Sequence, residues 1–240
     1  MIELSGFDYA HEGVTLKGQI ARPAGPGPHP AVLVMHHAIG MGENELHRTR
    51  KLAEAGYVAL ATDMYGIGAE PAGPDVYGPL FADLKAAPDR LRGRVLAGFD
   101  AVRALPEVDA ARIGAIGFCF GGQCVLELAR TGAPVASVVS FHGLLSTDAP
   151  ARKGAVRAKV LVITGALDPY APREHVADFE KEMAAAEADY HLTIYGQGLH
   201  AWTDPTVPAD DIPGVRYDAV LDRLSWSQAT AFLDETLRPA

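Results

Sequence analysis

The sequence predicts an α/β fold in which a mostly parallel central sheet carries helices on both faces. The main observation is that short apolar runs of strand length alternate along the chain with longer stretches of helical periodicity. A second is the composition: the 240 residues are 48% hydrophobic and 21% charged, which is ordinary for a globular protein. A third is that no repeat, low-complexity tract or linker interrupts the chain. We therefore expect residues 1–240 to form one domain.

The N-terminal half begins with a predicted antiparallel edge strand at 14–20, where apolar and polar residues alternate. A Pro/Gly cluster at 23–30 predicts a turn after it. The elements predicted next are a buried strand at 31–35, a helix at 45–55 ending at Gly56, a strand at 57–61, and a helix at 88–105 whose Leu91, Val95, Phe99 and Val102 share one face.

The C-terminal half repeats this alternation. Its predicted elements are a strand at 113–116, a helix at 121–130, strands at 135–141 and 160–163, a helix at 172–187, a strand at 190–194 and a helix at 216–237. Parallel sheets carry their reactive residues in loops just beyond the carboxyl ends of the strands. A site is therefore expected in the loops at 36–42, 63–68, 117–122, 142–145, 165–169 and 196–203.

One of these loops carries a candidate nucleophile. The stretch Gly117-Phe118-Cys119-Phe120-Gly121 fits the pattern Gly-x-nucleophile-x-Gly, in which a strand turns sharply into a helix. The glycines let the strand pass close to the helix, and the helix N-terminus favours a thiolate at Cys119. The alternative is a structural cysteine in a glycine-rich turn.

Two further residues complete a candidate catalytic triad. Asp168 follows the predicted strand at 160–163, and His200 follows the one at 190–194. The order nucleophile, acid, histidine is that of the α/β-hydrolase fold. Taken alone, Asp168 could be a turn or cap residue and His200 an ordinary loop histidine. Cys124, one turn into the predicted helix, is expected to pack as a small apolar residue.

Three stretches of the chain resemble the dienelactone hydrolase family. They are GFCFGG at 117–122, LAEAGYVALATDMYG at 52–66 and HAWTDP at 200–205. The resemblance extends from about residue 14 to 237 without a large cap insertion. It implies an α/β-hydrolase fold and a hydrolase of esters or lactones that needs neither a metal nor an organic cofactor. It also implies that Cys119 is the nucleophile, that His200 is the base, which also activates the hydrolytic water, and that Asp168 orients His200.

The chain departs from the family pattern at two positions. The family commonly has a glutamate where this chain has His37, and the best-known branch has a substrate-binding arginine where this chain has Asp204. A second substrate arginine has only Arg90, Arg92 and Arg94 as nearby choices. An uncharged ester or lactone is therefore expected as readily as an anionic one.

The other site residues are expected around the nucleophile. The backbone N–H of Phe120 is a predicted oxyanion donor, and the resemblance points to Ala38 for the second. Of the adjacent His36 and His37, at most one can face the site, and we expect it to be His37, which would then favour the thiolate. The predicted pocket residues, for which ordinary core packing is the alternative, are His37, Ile39, Tyr65, Phe81, Phe118, His142 and Trp202.

The net charge and the cysteine content limit the binding partners and the cellular location that we expect. The formal charge of −9, from 21 basic and 30 acidic residues, argues against nucleic acid and anionic membranes. No histidine, cysteine or carboxylate cluster has metal-ligand spacing. With two free cysteines, no apolar leader and no apolar run of membrane-spanning length, we expect a cytoplasmic enzyme with a small-molecule substrate, monomeric or a small homo-oligomer.

Two other classes of protein stay open at this point. An activated thiol also suits a redox or sensing protein, although Cys124 is poorly spaced as its partner. A binding protein on an inactive hydrolase scaffold is the other alternative. Release of a burst of phenol from an activated ester would separate a hydrolase from both.

Overall fold

The elements of the fold are taken from a computed structural model that describes residues 2–70, 72–207 and 212–238. The strands are β1 (Leu4–His11), β2 (Val14–Ala21), β3 (His29–Met35), β4 (Val58–Thr62), β5 (Val108–Phe118), β6 (Ser137–Phe141), β7 (Lys159–Gly165) and β8 (Tyr190–Tyr195). The helices are α1 (Glu43–Glu54), α2 (Pro74–Lys85), α3 (Pro88–Arg103), α4 (Phe120–Arg130), α5 (Arg173–Ala185) and α6 (Ala219–Leu237).

All eight strands form one sheet in the order β1-β2-β4-β3-β5-β6-β7-β8. From β4 to β8 every neighbouring pair is parallel, whereas β1–β2 and β2–β4 are antiparallel. The predicted antiparallel strand is present as β2, but it does not form the edge, because β1 pairs along its full length. The fold is therefore the predicted mostly parallel α/β sheet.

Helices cover both faces of this sheet. On one face α1 and α6 pack a core that includes Leu52, Phe118, Trp202 and Leu233. On the other face α2 to α5 pack a larger core. Strands β3, β4 and β6 are buried along almost their whole length, as expected for strands covered on both sides. Each fully buried Val, Leu or Phe side chain contributes about 1.5–3 kcal/mol to the stability of the fold.

The topology brings four loops to one edge of the sheet. The parallel strands β3, β5, β7 and β8 all point their carboxyl ends the same way, and their following loops carry His37, Cys119, Asp168 and His200. Residues that are up to 163 positions apart in the chain can therefore meet above the central strands.

Candidate active site

Cys119 stands on a sharp turn between β5 and α4. Its backbone has φ 56° and ψ −115°, a conformation that non-glycine residues rarely adopt. The flanking glycines make the turn possible: a Cβ atom on Gly117 would lie 2.0 Å from the carbonyl oxygen of Gly121, and one on Gly121 would lie 2.2 Å from that of Met35. The Cys119 side chain is half-buried and lines a cavity.

His200 lies beside Cys119 and is held from behind by Asp168. Nδ1 of His200 is 2.8 Å from Oδ2 of Asp168, and both side chains are buried. The other oxygen of Asp168 accepts the backbone N–H of Tyr170 at 2.8 Å. His200 and Cys119 line the same cavity, and His200 lies close enough to lower the pKa of the Cys119 thiol. A carboxylate, an imidazole and a thiol therefore lie in sequence at this site, an arrangement suited to nucleophilic catalysis.

The pKa values of Cys119 and His200 follow from their surroundings. Burial raises the pKa of the Cys119 thiol, but the hydrogen bond from His200 and the positive imidazoles nearby outweigh burial, so the net pKa is lowered. Burial lowers the pKa of His200, but its bonds to Asp168 and Cys119 raise it to about 10. The two shifts favour a thiolate paired with an imidazolium.

Backbone donors are available for an oxyanion. The backbone N–H of Ala38 contributes to lowering the pKa of the Cys119 thiol, and the carbonyl of Ala38 accepts the Tyr65 hydroxyl at 2.9 Å. Phe120 is the first residue of α4, where backbone N–H groups have no acceptor within the helix. Both residues expected to supply oxyanion donors therefore lie beside Cys119, and their role stays a prediction.

The adjacent histidines point to different surroundings. His36 is turned into the protein, where Nδ1 donates to the carbonyl of His37 at 2.6 Å and Nε2 accepts the N–H of Met64 at 3.0 Å. His37 lines the cavity, and its Nδ1 forms a short ion pair with Glu45 on α1. Burial lowers the pKa of His37, but the Glu45 carboxylate raises it to about 8.

The cavity above these groups has a volume of about 580 Å³. Three of the predicted pocket residues, His37, Ile39 and Phe81, line it. Ala38, Cys119, His200 and Asp204, which the sequence analysis had also singled out, line it as well. The remaining lining residues are mostly apolar and were not predicted from the sequence. They are Lys85, Leu144, Ser146, Pro169, Tyr170, His175, Ala201, Thr206, Val207, Ile212 and Val215.

Four predicted pocket residues do not line the cavity, and core packing accounts for each. Tyr65 stacks on Phe120, with ring centroids 6.2 Å apart. Phe118 stacks on Phe141 in the core against α6. Trp202 is fully buried and donates Nε1–H to Ser225 at 3.2 Å. These three side chains therefore pack in the protein interior beneath the cavity.

His142, the fourth, is also fully buried. Its Nδ1 accepts the backbone N–H of Cys119 at 3.2 Å, so its Nε2 carries the proton and donates to the hydroxyl of Thr203 at 2.8 Å. Burial lowers its pKa well below the usual value. His142 is therefore a neutral support for the turn at Cys119.

The three candidate substrate arginines do not line the cavity and are bonded elsewhere. Arg90 pairs with Glu12 and Asp83, Arg92 pairs with Glu127, and Arg94 donates to the carbonyl of Met64. Asp204 lines the cavity, but Oδ1 accepts both the backbone N–H and the hydroxyl of Thr206. No arginine is among the described lining residues, which provide no fork for a substrate carboxylate.

Two features are absent from the part of the chain that the structure describes. Across residues 2–70, 72–207 and 212–238, no three His, Cys, Asp or Glu side chains cluster so as to hold a metal ion. In the same ranges none of the helices has both the length and the apolar character needed to cross a bilayer.

The sheet order, the turn at Cys119 and the hydrogen-bonded histidine define an α/β-hydrolase. The sequence model of the dienelactone hydrolase family matches residues 16–237, and the chain belongs to that family. It is therefore an ester or lactone hydrolase.

Individual relatives agree with this assignment. A Bradyrhizobium protein named "Probable 2-oxo-3-(5-oxofuran-2-ylidene)propanoate lactonase" is 33% identical over 215 residues, 84% of each chain. A solved structure named m3DLH has a TM-score of 0.91 and 32% identity, covering 98% of this chain and 99% of its own. A dienelactone hydrolase-like promiscuous phosphotriesterase from metagenomic libraries has a TM-score of 0.90 and 33% identity, covering 98% of both chains.

Proposed function

We propose that this hydrolase cleaves uncharged carboxylic esters or lactones through a cysteine nucleophile and a thioester intermediate. The observation that carries the proposal is that His200, held by Asp168, and Cys119 both line one largely apolar cavity of about 580 Å³. The lack of an arginine among the described lining residues favours a substrate without a carboxylate next to the reacting carbonyl.

The contacts give each group a role in forming the thioester. His200 takes the proton of Cys119, and Asp168 fixes the imidazole so that Nε2 faces the thiol. The thiolate attacks the carbonyl carbon, and the N–H groups of Phe120 and Ala38 stabilise the negative oxygen. The leaving oxygen departs with a proton, and water then releases the acid from the thioester.

The two alternative classes, a thiol redox or sensing protein and a binding protein on an inactive hydrolase scaffold, account for fewer of these contacts. A redox function would pair Cys119 with Cys124, but Cys124 is fully buried and burial raises its pKa well above the usual value. A binding scaffold would not require a carboxylate behind His200. The need for a reduced thiol also supports the proposal of a cytoplasmic location.

A paired substrate screen tests the proposal. Esters and lactones are supplied in matched pairs that differ only in a carboxylate on the acyl group, with a neutral phosphotriester added because one relative carries that activity. We expect the neutral member of each pair to have the higher kcat/KM and Cys119→Ala to be inactive. A consistent preference for the charged members would overturn the assigned substrate class, and activity in Cys119→Ala would overturn the nucleophile.

A further inference from the structure

A second histidine–carboxylate pair lies at the nucleophile. Glu45, only 1% exposed, contacts Nδ1 of His37, and its two oxygens also accept the backbone N–H groups of His37 at 3.3 Å and Gly42 at 2.9 Å. Three donors therefore fix this carboxylate, which lies on the first turn of α1, where negative charge is favoured. Glu45 thus contacts Nδ1 of His37 as Asp168 contacts Nδ1 of His200.

One ring nitrogen of His37 has no partner within the described residues. His37 is 6% exposed and lines the cavity, and because Nδ1 faces Glu45, Nε2 lies on the opposite side of the ring. Within the described residues Nε2 has no hydrogen-bond partner. A buried polar atom without a partner costs about 1–3 kcal/mol. Such a position is explained when a substrate or water oxygen occupies it during the reaction.

The two pairs approach Cys119 from opposite sides. His37 follows β3, which neighbours β5 on one side, and His200 follows β8 on the other side. The His142 ring lies between them, with its centroid 5.8 Å from that of His37 and 5.1 Å from that of His200. Both nitrogens of His142 are occupied, so it cannot pass a proton from one imidazole to the other.

We propose that His37 is the acid and base for the substrate oxygens, while His200 stays protonated beside the Cys119 thiolate. This inference rests on the proposed cysteine mechanism. In acylation the thiolate forms the carbon–sulfur bond, the carbon–oxygen bond to the leaving group breaks, and that oxygen takes the Nε2 proton of His37. In deacylation neutral His37 takes a proton from water, the hydroxide attacks the thioester, and the carbon–sulfur bond breaks to restore the thiolate.

The charges around His37 suit this cycle. The carboxylates of Glu45 and Asp204 and the thiolate of Cys119 raise its pKa, whereas burial keeps His36 and His142 neutral. A pKa near the working pH lets one imidazole both give and accept a proton within a turnover. His200, whose pKa is higher, is suited to keeping its proton. The proposal changes the sequence-based expectation that His200 activates the water.

Leaving-group dependence tests the proposal. Single-turnover acylation is measured with esters that share one acyl group and carry leaving groups from p-nitrophenol, which needs no proton donor, to a simple alcohol. We expect His37→Gln to slow acylation by the alkyl ester about 10²–10⁴-fold, the usual contribution of a general acid, while the p-nitrophenyl ester is little affected. His47→Gln, an exposed histidine on α1, is the control.

The role of Glu45 is tested through pH. Acylation by the alkyl ester needs protonated His37, so the rate of the natural protein falls above a pH of about 8. Glu45→Gln keeps the imidazole and an acceptor for Gly42 but removes the charge, and the fall should begin at lower pH. Glu43→Gln, an exposed change on the same turn of α1, should leave the profile in place.

The outcomes separate this inference from the proposed function. Equal slowing of every ester by His37→Gln, or no slowing of any, would overturn the role of His37. An unshifted profile in Glu45→Gln would overturn the role of the pair. If no thioester forms on Cys119 of the natural protein, the cysteine mechanism itself fails, whatever the dependence of the rates on the leaving group. Acylation of His37→Gln by the p-nitrophenyl ester shows that the variant is folded.

Discussion

At the scale of single residues, the reactivity of Cys119 is set by its backbone. A non-glycine residue at φ 56° and ψ −115° costs about 1–3 kcal/mol, and it persists only where the surroundings determine it fully. Here the backbone N–H of Cys119 is shared between the carbonyl of Phe141 and Nδ1 of His142. This turn places Cys119 at the wall of the cavity that His200 also lines.

The two cysteines should therefore react very differently. We expect one equivalent of iodoacetamide to abolish esterase activity and to label Cys119 alone, because its pKa is lowered while burial raises that of Cys124, so Cys119 carries more of the reactive thiolate. Peptide mapping by mass spectrometry locates the label. Labelling of Cys124, or full activity after labelling of Cys119, would contradict this expectation.

The base and its orienting carboxylate should not be equally important. We expect His200→Ala to lower kcat/KM by about 10⁴–10⁶, and Asp168→Asn by about 10–100-fold less, because loss of the orienting group leaves the imidazole present. Steady-state kinetics on folded variants measures both effects. Unchanged turnover in Asp168→Asn would point to another acid, with Asp63 and Asp204 nearest in the sequence motifs.

His37 should also set the thiolate content of the resting enzyme. Replacing it by glutamate puts negative charge beside Cys119 and should raise the thiol pKa by more than about one unit, because like charges repel. Alkylation near neutral pH would then be slower in His37→Glu than in the natural protein. The rate of iodoacetamide alkylation against pH measures the shift. Superimposed curves would show that His37 does not tune the nucleophile.

At the scale of elements, how well the sequence predicted the fold depended on hydrophobic periodicity. The buried parallel strands were predicted because their residues are continuously apolar. Strand β1 was missed because its burial pattern is irregular and mostly exposed, and α2 because Gly78 and Pro79 lie inside it. Pairing with β2 and packing against α3 stabilise these elements, and neither contact is visible in local sequence.

The crossing of α4 over β3 should be sensitive to one methyl group. A Cβ at position 121 would meet the carbonyl of Met35 at 2.2 Å, so Gly121→Ala must push the helix from the sheet and should cost about 1–3 kcal/mol. In Gly6→Ala nothing lies within 4 Å of the new methyl, and this position in β1 should gain up to about 1 kcal/mol. Urea unfolding measures both free energies. A Gly121→Ala variant as stable as Gly6→Ala would contradict the packing described here.

At the scale of the whole molecule, the site is assembled from loops far apart in sequence. Three residues in a known order, each after its own strand, predicted a triad, and the structure brings two of them, His200 and Asp168, within 2.8 Å of each other. Glu45 was not predicted, because a glutamate three residues after Gly42 is also what a helix capping box requires, and Glu45 fulfils that role too. The cavity walls depend on how loops pack over the sheet edge, which periodicity does not encode.

The arrangement of the whole site also shows how this chain departs from its family pattern at positions 37 and 204. The carboxylate expected at position 37 is supplied instead by Glu45 from α1, behind an imidazole rather than beside the thiol. Asp204 is bonded within its own loop, and the candidate arginines bond elsewhere. This chain therefore shares the fold of the family but differs from the family pattern in the charged side chains near the cavity.

Trapping the acyl-enzyme tests the central claim most directly. The natural protein is mixed with a slowly hydrolysed activated ester, quenched in acid within one turnover and examined by mass spectrometry. The account predicts a mass increase of one acyl group on the peptide that contains Cys119, matched in amount by the burst of released phenol and absent in Cys119→Ala. Turnover without any acyl group on Cys119, or with the acyl group on another residue, would contradict it.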